Sequence, residues 1–199
     1  MSTYLKATSG DEGRALELYG WNARVSAALM VPAHLAEVTT RNAVDEVLTC
    51  VYGPSWPWDH TFEGSLPPPQ PNSYSPRKDL VDTRARLVST GQVVADLSFI
   101  FWERMFTKRH DGRLWSPYIA KLFPSAPTIA PGLLRNRVRE DLETIRRLRN
   151  RFAHHEPIFT RNLAEDLRTI VDLIEMRSPE TAELAHMLED ATRVLSERP

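Results

Sequence analysis

The side chains best suited to chemistry are concentrated in residues 149–157, RNRFAHHEP, at the end of an arginine-rich stretch. This segment places a permanent cation, a carboxamide and two imidazoles within about two helical turns, and Pro157 ends the predicted helix. Asn150 and His154 are four residues apart and share a helical face, so the carboxamide can orient the imidazole. Arg149 precedes His154 by five residues and points to a neighbouring face, about 140° around the helix.

These residue types fit phosphate chemistry. The planar guanidinium of Arg149 can bind phosphate oxygens, and His154 can act as a general acid or base. The reaction that this pair predicts is in-line attack of a ribose 2′-hydroxyl on its adjacent phosphate, which needs no metal or other cofactor. Arg149 and His154 point to different faces of one helix, so a single copy does not bring them together. We therefore expect a homodimer in which two such helices meet about a two-fold axis.

Less specific interpretations of the same residues remain open. Histidines at a helix end before a proline are often caps, and arginine runs often form a solvated face. His155 is therefore open between an accessory role as a proton relay and a role as a cap. A metal site made of His154, His155 and Glu156 is disfavoured, because adjacent helical residues diverge and no His-Glu-x-x-His pair is present.

Overall composition indicates one globular domain over residues 1–199, with 42% hydrophobic and 26% charged residues. The net charge of −1 provides no global attraction for nucleic acid, but residues 135–151 hold seven arginines against three acids. Among these, Arg146, Arg147 and Arg151 are the predicted RNA contacts beside the site. The sequence has no apolar run of bilayer length, no secretory signal and a single cysteine, Cys50. We therefore expect a cytoplasmic protein without a membrane partner.

Apolar periodicity predicts an all-α fold of about six or seven helices, without hairpin signals or repeats. Helical signals cover eight segments, one or two more than that number: the arginine helix and residues 11–29, 32–53, 75–89, 92–107, 114–123, 163–176 and 179–195. The apolar run at 92–107 is also compatible with a buried strand, but no partner strand is apparent. Four cations, Arg104, Lys108, Arg109 and Arg113, lie at its end and just after it.

Two further features lie before residue 77. Residues 53–76 are rich in proline and are predicted to form an exposed, extended loop inserted between helices. Glu37 and Arg41 are four residues apart with the acid first, the favoured order for an ion pair within a helix. Their spacing does not distinguish a solvated pair from one that braces the arginine helix across the core.

Several of these motifs match a known family. The pattern Arg149-Asn150-x-x-x-His154 resembles the Arg-polar-x-x-x-His signature of the HEPN superfamily. The wider context is similar to the Abi-like (abortive infection) proteins within it. Four landmarks occur in the same order as in those proteins, over roughly residues 14–160: Glu-x-x-x-Arg-Asn at 37–42, Gly53 with Trp56, Ser98-Phe99-x-x-Trp102 continuing to Trp115, and Arg-Asn-x-x-Ala-His-His at 149–155.

This resemblance implies an all-α HEPN-like bundle and a metal-independent endoribonuclease that cleaves RNA in phage defence. It implies Arg149 and His154 as the catalytic pair, Asn150 as their polar companion, and a homodimer with a composite site. An antitoxin protein or a small RNA would control such a toxin. The proline-rich insertion and the near-neutral net charge depart from the family pattern.

Two other functions compete with the ribonuclease. In a non-catalytic RNA-binding or adaptor module, the arginine helix would hold RNA without cleaving it, and Arg146 and Arg147 would matter as much as His154. In an antitoxin-like or structural helical partner, His154 would be dispensable.

Overall fold

The computed structural model describes all 199 residues, and the chain is all-helical with no strand. The α-helices are α1 (Ser2–Ala7), α2 (Glu12–Tyr52), α3 (His60–Ser65), α4 (Pro76–Arg84), α5 (Thr90–Asp96), α6 (Phe99–Met105), α7 (Ser116–Leu122), α8 (Pro131–Ala153), α9 (Leu163–Arg177), α10 (Pro179–Leu188) and α11 (Ala191–Ser196). The all-α prediction is confirmed, whereas the predicted number of six or seven helices is wrong. No helix combines the length and apolar character that crossing a membrane requires.

Helix α2 is a single helix of 41 residues, although the sequence predicted two helices divided before Pro32. Pro32 lacks the N–H group that would continue the helical hydrogen-bond ladder, and an internal proline costs about 3 kcal/mol. Leu29, Ala33 and Ala36 are nevertheless buried on one face around it. Burial of this face carries the helix past the proline, a tertiary effect that local sequence does not report.

Other predicted helices are divided. The predicted helix at 92–107 is α5 and α6, separated at Leu97 and Ser98, and the one at 179–195 is α10 and α11. The predicted helix at 75–89 ends at Arg84, and the Ser89 hydroxyl instead caps α5 by accepting from the Gln92 N–H at 3.3 Å. These two divisions, together with the unpredicted helices α1 and α3, account for the larger number of helices.

The prediction of an extended loop over residues 53–76 is wrong in its first half. A 3₁₀ turn at Trp56–Trp58 and helix α3 occupy that part. Trp56 is fully buried, donates from Nε1 to Asp45 Oδ1 at 2.7 Å and meets Phe62 edge-to-face at 5.3 Å. Aromatic burial therefore overrides the prolines there, and the longest stretch without helix in this segment is residues 66–75.

The chain forms two compact units. Unit 1 consists of Met1–Ala36 and Glu143–Pro199, and unit 2 is the continuous segment Glu37–Leu142. In unit 1, Tyr4 of α1 packs against Tyr19 and Phe159, with ring centroids 5.3 and 5.1 Å apart. Trp21 Nε1 of α2 donates to the Val194 carbonyl at 2.7 Å. These contacts tie α1, α2 and α11 to the connection after α8.

The core of unit 2 is rich in aromatic side chains. Phe106 and Trp115 stack at 4.2 Å, and Trp115 Nε1 donates to the Met105 carbonyl at 2.8 Å. Glu37 and Arg41 form an ion pair within α2 in which Glu37 is buried. Arg41 also donates from Nη1 to the carbonyl of Ala95 at 2.9 Å. This partly buried pair thus connects α2 to α5, a helix that neither interpretation of the sequence named.

Candidate functional site

The reactive segment follows a specific type of helix end. The His155 N–H donates to the Phe152 carbonyl at 3.2 Å, and the Glu156 N–H donates to the Arg151 carbonyl at 2.7 Å. His155 has a φ of +57°, in the left-handed region. These two bonds and the left-handed residue form a Schellman motif, which satisfies carbonyls at the end of α8. His155 therefore occupies the position that glycine fills in most such motifs.

The prediction that Pro157 ends the helix is wrong, because α8 ends at Ala153 and the left-handed His155 already turns the chain away from it. Arg151, predicted to contact RNA, donates from Nη1 to the Pro157 carbonyl at 3.1 Å. Its guanidinium is half-buried and holds the turn closed. The structure thus gives Arg151 a structural contact that its place in the sequence does not indicate.

The connection beyond the turn is fixed by a residue far away in sequence. The Asn22 side-chain oxygen on α2 accepts from the Ile158 N–H at 2.8 Å and from the Phe159 N–H at 3.2 Å. All three residues are buried, and Phe159 also packs on Tyr4. Sequence reasoning missed Asn22. The available signal was one carboxamide among the apolar residues of an amphipathic helix.

A second anchor lies where the connection enters α9. Arg161 donates from Nε and Nη2 to the two oxygens of Asp166, at 2.8 and 2.6 Å, and Asp166 is buried. The hydrogen bond to Asp166 raises the pKa of Arg161 above its ordinary value. Asn162 caps α9 by accepting from the Glu165 N–H at 3.2 Å. The segment between the histidines and α9 is therefore held at both ends.

Three of the predicted site residues, Arg149, His154 and His155, are exposed, and Asn150 is half-exposed. Asn150 and His154 are joined through their backbones, since the His154 N–H donates to the Asn150 carbonyl at 2.9 Å. No side-chain hydrogen bond joins them. Helical geometry places Arg149 about 140° from His154, so one copy of α8 does not bring the catalytic pair together.

The face of α8 that bears His154 carries a different arginine. Arg147 precedes His154 by seven residues, so Arg147, Asn150 and His154 lie within about 60° of one another around the helix. Arg147 is exposed and paired with Glu143, and exposed pairs of this kind contribute about 0–1 kcal/mol. Its guanidinium can therefore exchange the carboxylate for a phosphate. Arg146, the third predicted RNA contact, is half-buried.

The candidate site is an open surface. A cleft of about 630 Å³ in unit 1 is lined in part by Thr8, Arg14 and Arg198, and it includes none of the four site residues. No three His, Cys, Asp or Glu side chains come together in an arrangement that could hold a metal ion.

No family model matches the chain, and comparison with curated proteins and with solved structures likewise gives no match. The resemblance to the HEPN superfamily therefore depends on the motifs themselves.

Proposed function

We propose that the protein is a metal-independent endoribonuclease of the HEPN, Abi-like type. The observation that carries this proposal is the exposed His154 at the Schellman-capped end of an arginine-rich helix, with Arg149 and Asn150 in the preceding turn. Exposure leaves the imidazole accessible to a polymer substrate, while the bonds made by Asn22 and Arg151 hold the backbone beside it.

The reaction is transesterification at a ribose. His154 accepts the proton of the 2′-hydroxyl as its oxygen attacks the adjacent phosphorus, and Arg149 stabilises the negative charge of the phosphorane. The bond from phosphorus to the 5′-oxygen then breaks, and that oxygen takes a proton from an imidazolium. The products are a 2′,3′-cyclic phosphate and a 5′-hydroxyl.

The proposed active form is a homodimer. Within one copy, Arg149 and His154 lie on different faces of α8. A second α8 facing the first would place the arginine of one copy beside the histidine of the other. Two imidazoles would also divide the two proton transfers between a base and an acid. The biological setting that the resemblance implies is phage defence, under control of an antitoxin protein or a small RNA.

A non-catalytic RNA-binding module is the second candidate. It is favoured by the face that Arg147, Asn150 and His154 share, because these three can contact a phosphate backbone without Arg149. In that function no product forms, and Arg147 matters as much as His154.

The test is cleavage of labelled total RNA by purified protein in the presence of EDTA. We expect His154→Ala and Arg149→Ala each to reduce the cleavage rate by roughly 10²–10⁴-fold, the usual contribution of a general acid-base group or an oxyanion contact. The matched control is His34→Ala, which removes another exposed imidazole from unit 1 and should leave the rate unchanged.

Circular dichroism and gel filtration would establish that each variant remains folded. Undiminished cleavage by folded His154→Ala protein would contradict the proposal. Absence of cleavage by every chain, with RNA binding that weakens equally in Arg147→Ala and His154→Ala, would favour the binding module.

A further inference from the structure

Unit 2 carries a basic surface that the proposed catalytic residues do not include. The basic turn, as we call residues 104–113, runs from the last turn of α6 through a 3₁₀ turn, Lys108–His110, into a π-helical turn, Asp111–Trp115. Its four cations, Arg104, Lys108, Arg109 and Arg113, are all exposed. They lie within ten residues of a chain whose net charge is −1.

The acids within this segment do not pair with its four cations. Residues 98–122 contain only two, Glu103 and Asp111. Glu103 is buried, and Asp111 is held in a two-point ion pair by Arg135 of α8, with N–O distances of 2.9 and 3.2 Å. Outside the segment, the Tyr74 hydroxyl, bonded to Asp79 at 2.6 Å, is close enough to Arg104 to be influenced by its charge, but Asp79 forms no ion pair with Arg104. None of the four cations of the basic turn forms an ion pair, whereas most arginines elsewhere in unit 2 do, including Arg41, Arg84 and Arg86.

The basic turn is also preorganised. Its two ends are joined by the Phe106–Trp115 stack and by the bond from Trp115 Nε1 to the Met105 carbonyl. Arg113 donates from Nη1 to the Tyr52 hydroxyl at 2.7 Å. Burial, followed by the nearby Arg109 and Arg113, lowers the pKa of His110 to about 4, in keeping with a positive environment. A ligand would therefore meet cations on a fixed backbone.

The type of ligand follows from what surrounds these cations. No large exposed hydrophobic residue lies within residues 89–128, although Leu133 is exposed two residues before Arg135, the partner of Asp111. The basic turn itself therefore offers no apolar side chain to insert into lipid and no aromatic or aliphatic anchor for a protein interface. Repeated cations without such anchors are typical of contact with a nucleic-acid backbone.

We infer that the basic turn binds the phosphate backbone of the RNA substrate, as a surface separate from the Arg149–His154 segment. This inference rests on the proposed function for the identity of the polymer. Arg104 and Lys108 supply charge without side-chain hydrogen bonds of their own, while Arg109 and Arg113 are additionally bonded to the Ser65 carbonyl and the Tyr52 hydroxyl.

The test is binding of a fluorescein-labelled single-stranded RNA oligonucleotide, measured by anisotropy between about 50 and 200 mM salt. All chains carry His154→Ala, so that substrate survives. The test variant adds Arg104→Gln and Lys108→Gln, and the matched control instead adds Lys78→Gln and Arg86→Gln, two ion-paired cations of the same unit. Both variants lose two positive charges.

The test variant should bind roughly tenfold more weakly at 0.1 M salt, and its slope of log affinity against log salt should be shallower by about 1.4, for two lost phosphate contacts. The control should match the parent. An unchanged slope in the test variant, or an equal loss in the control, would overturn the inference. Tighter binding to anionic phospholipid vesicles than to RNA would also overturn the inference. Tighter binding to an acidic protein than to RNA would do the same.

Two further arms separate this inference from the proposed function. DNA of the same sequence would distinguish general phosphate binding from binding that also requires ribose, and binding only to DNA would contradict the inference. In chains with an intact His154, Arg104→Gln with Lys108→Gln should raise KM for RNA cleavage and leave kcat nearly unchanged. If no chain cleaves RNA but the slope difference persists, the ribonuclease proposal fails while the basic turn remains a binding surface.

Discussion

His155 adopts a backbone conformation that histidine tolerates but does not prefer. Its φ of +57° places it in the left-handed region, which costs a residue with a Cβ about 1–2 kcal/mol. Glycine would avoid this cost, and the position lies beside His154, the proposed acid-base group. Strained backbone of this kind is concentrated at functional sites, so both the imidazole and the cap are functions to test at this residue.

The first residue-scale prediction concerns stability. Replacing His155 by glycine relieves the left-handed strain, so His155→Gly should raise the free energy of unfolding by about 1 kcal/mol, while His155→Val should lower it. Urea denaturation monitored by circular dichroism measures both. A glycine variant less stable than the parent would mean that the imidazole makes a stabilising contribution larger than the strain.

His155→Asn distinguishes the relay from the cap. Asparagine also tolerates positive φ, so the Schellman motif should survive while the imidazole is lost. If His155 is only a cap, stability and RNA cleavage both remain close to those of the parent. Loss of cleavage in a chain of unchanged stability would assign the imidazole a part in proton transfer.

At the scale of elements, the position of the candidate site depends on α2 as much as on α8. Asn22 of α2 supplies the acceptor for two consecutive buried amides, those of Ile158 and Phe159. Ile158, the first of these two residues, lies three positions after His155. The exit from the Schellman motif therefore has one fixed direction, set by a side chain on another helix.

Asn22→Ala should lower the free energy of unfolding by about 1–3 kcal/mol for each amide left without a partner, to the extent that water does not replace the lost oxygen. Hydrogen exchange at the Ile158 and Phe159 amides should accelerate beyond the global change. Asn42→Ala, at an exposed position of the same helix, is the control and should change neither quantity. Unaltered exchange at both amides in Asn22→Ala would show that the connection is held by other contacts.

Elements determined by local chemistry were predictable from the sequence. Ser75 and Ser178 each precede a proline, a sequence pattern typical of a capped helix start, and each accepts a hydrogen bond from a helical N–H at 3.2 Å. The bounds of α9 were predicted to within one residue at its end. Continuity through Pro32 and the buried Trp56 turn were not predictable, because both depend on the burial of side chains in the folded protein rather than on local propensity.

The same distinction applies to the candidate site. Residue types and spacing on one helix placed Arg149, Asn150 and His154, and helical geometry gave their angular separation. The Schellman motif was not recognisable because His155 stands where glycine would mark it. Arg151 was expected to face RNA, and only the three-dimensional position of the Pro157 carbonyl reveals its other contact.

At the scale of the whole molecule, stability should depend on pH through His110. Its pKa is lowered to about 4, first by burial and then by Arg109 and Arg113, from an ordinary value of 6.5. Between these values the unfolded chain binds a proton that the folded chain does not. This contribution to stability is complete above about pH 6.5 and is lost as the pH falls toward 4, with a ceiling of about 3 kcal/mol.

His110→Leu should therefore flatten the stability profile between about pH 4 and 6.5, as measured by urea denaturation at a series of pH values. His60→Gln is the control, since the His60 side chain in the same unit is 93% exposed and should contribute little to the profile. Equal slopes in the parent and in a folded His110→Leu protein would mean that other groups, such as the carboxylates, set the acid sensitivity.

The interrupted course of unit 1 bears on how the protein is synthesised. Unit 2 is continuous in sequence, whereas unit 1 needs both Met1–Ala36 and Glu143–Pro199. A ribosome that has translated through Leu142 has thus synthesised all of unit 2 but neither histidine of the proposed site. Asn22 is translated 136 residues before Ile158, whose amide it binds. A nascent chain interrupted just after His155 would hold the complete reactive motif while lacking the amides that Asn22 binds, so the anchored site can form only once residues 158 and 159 have been synthesised.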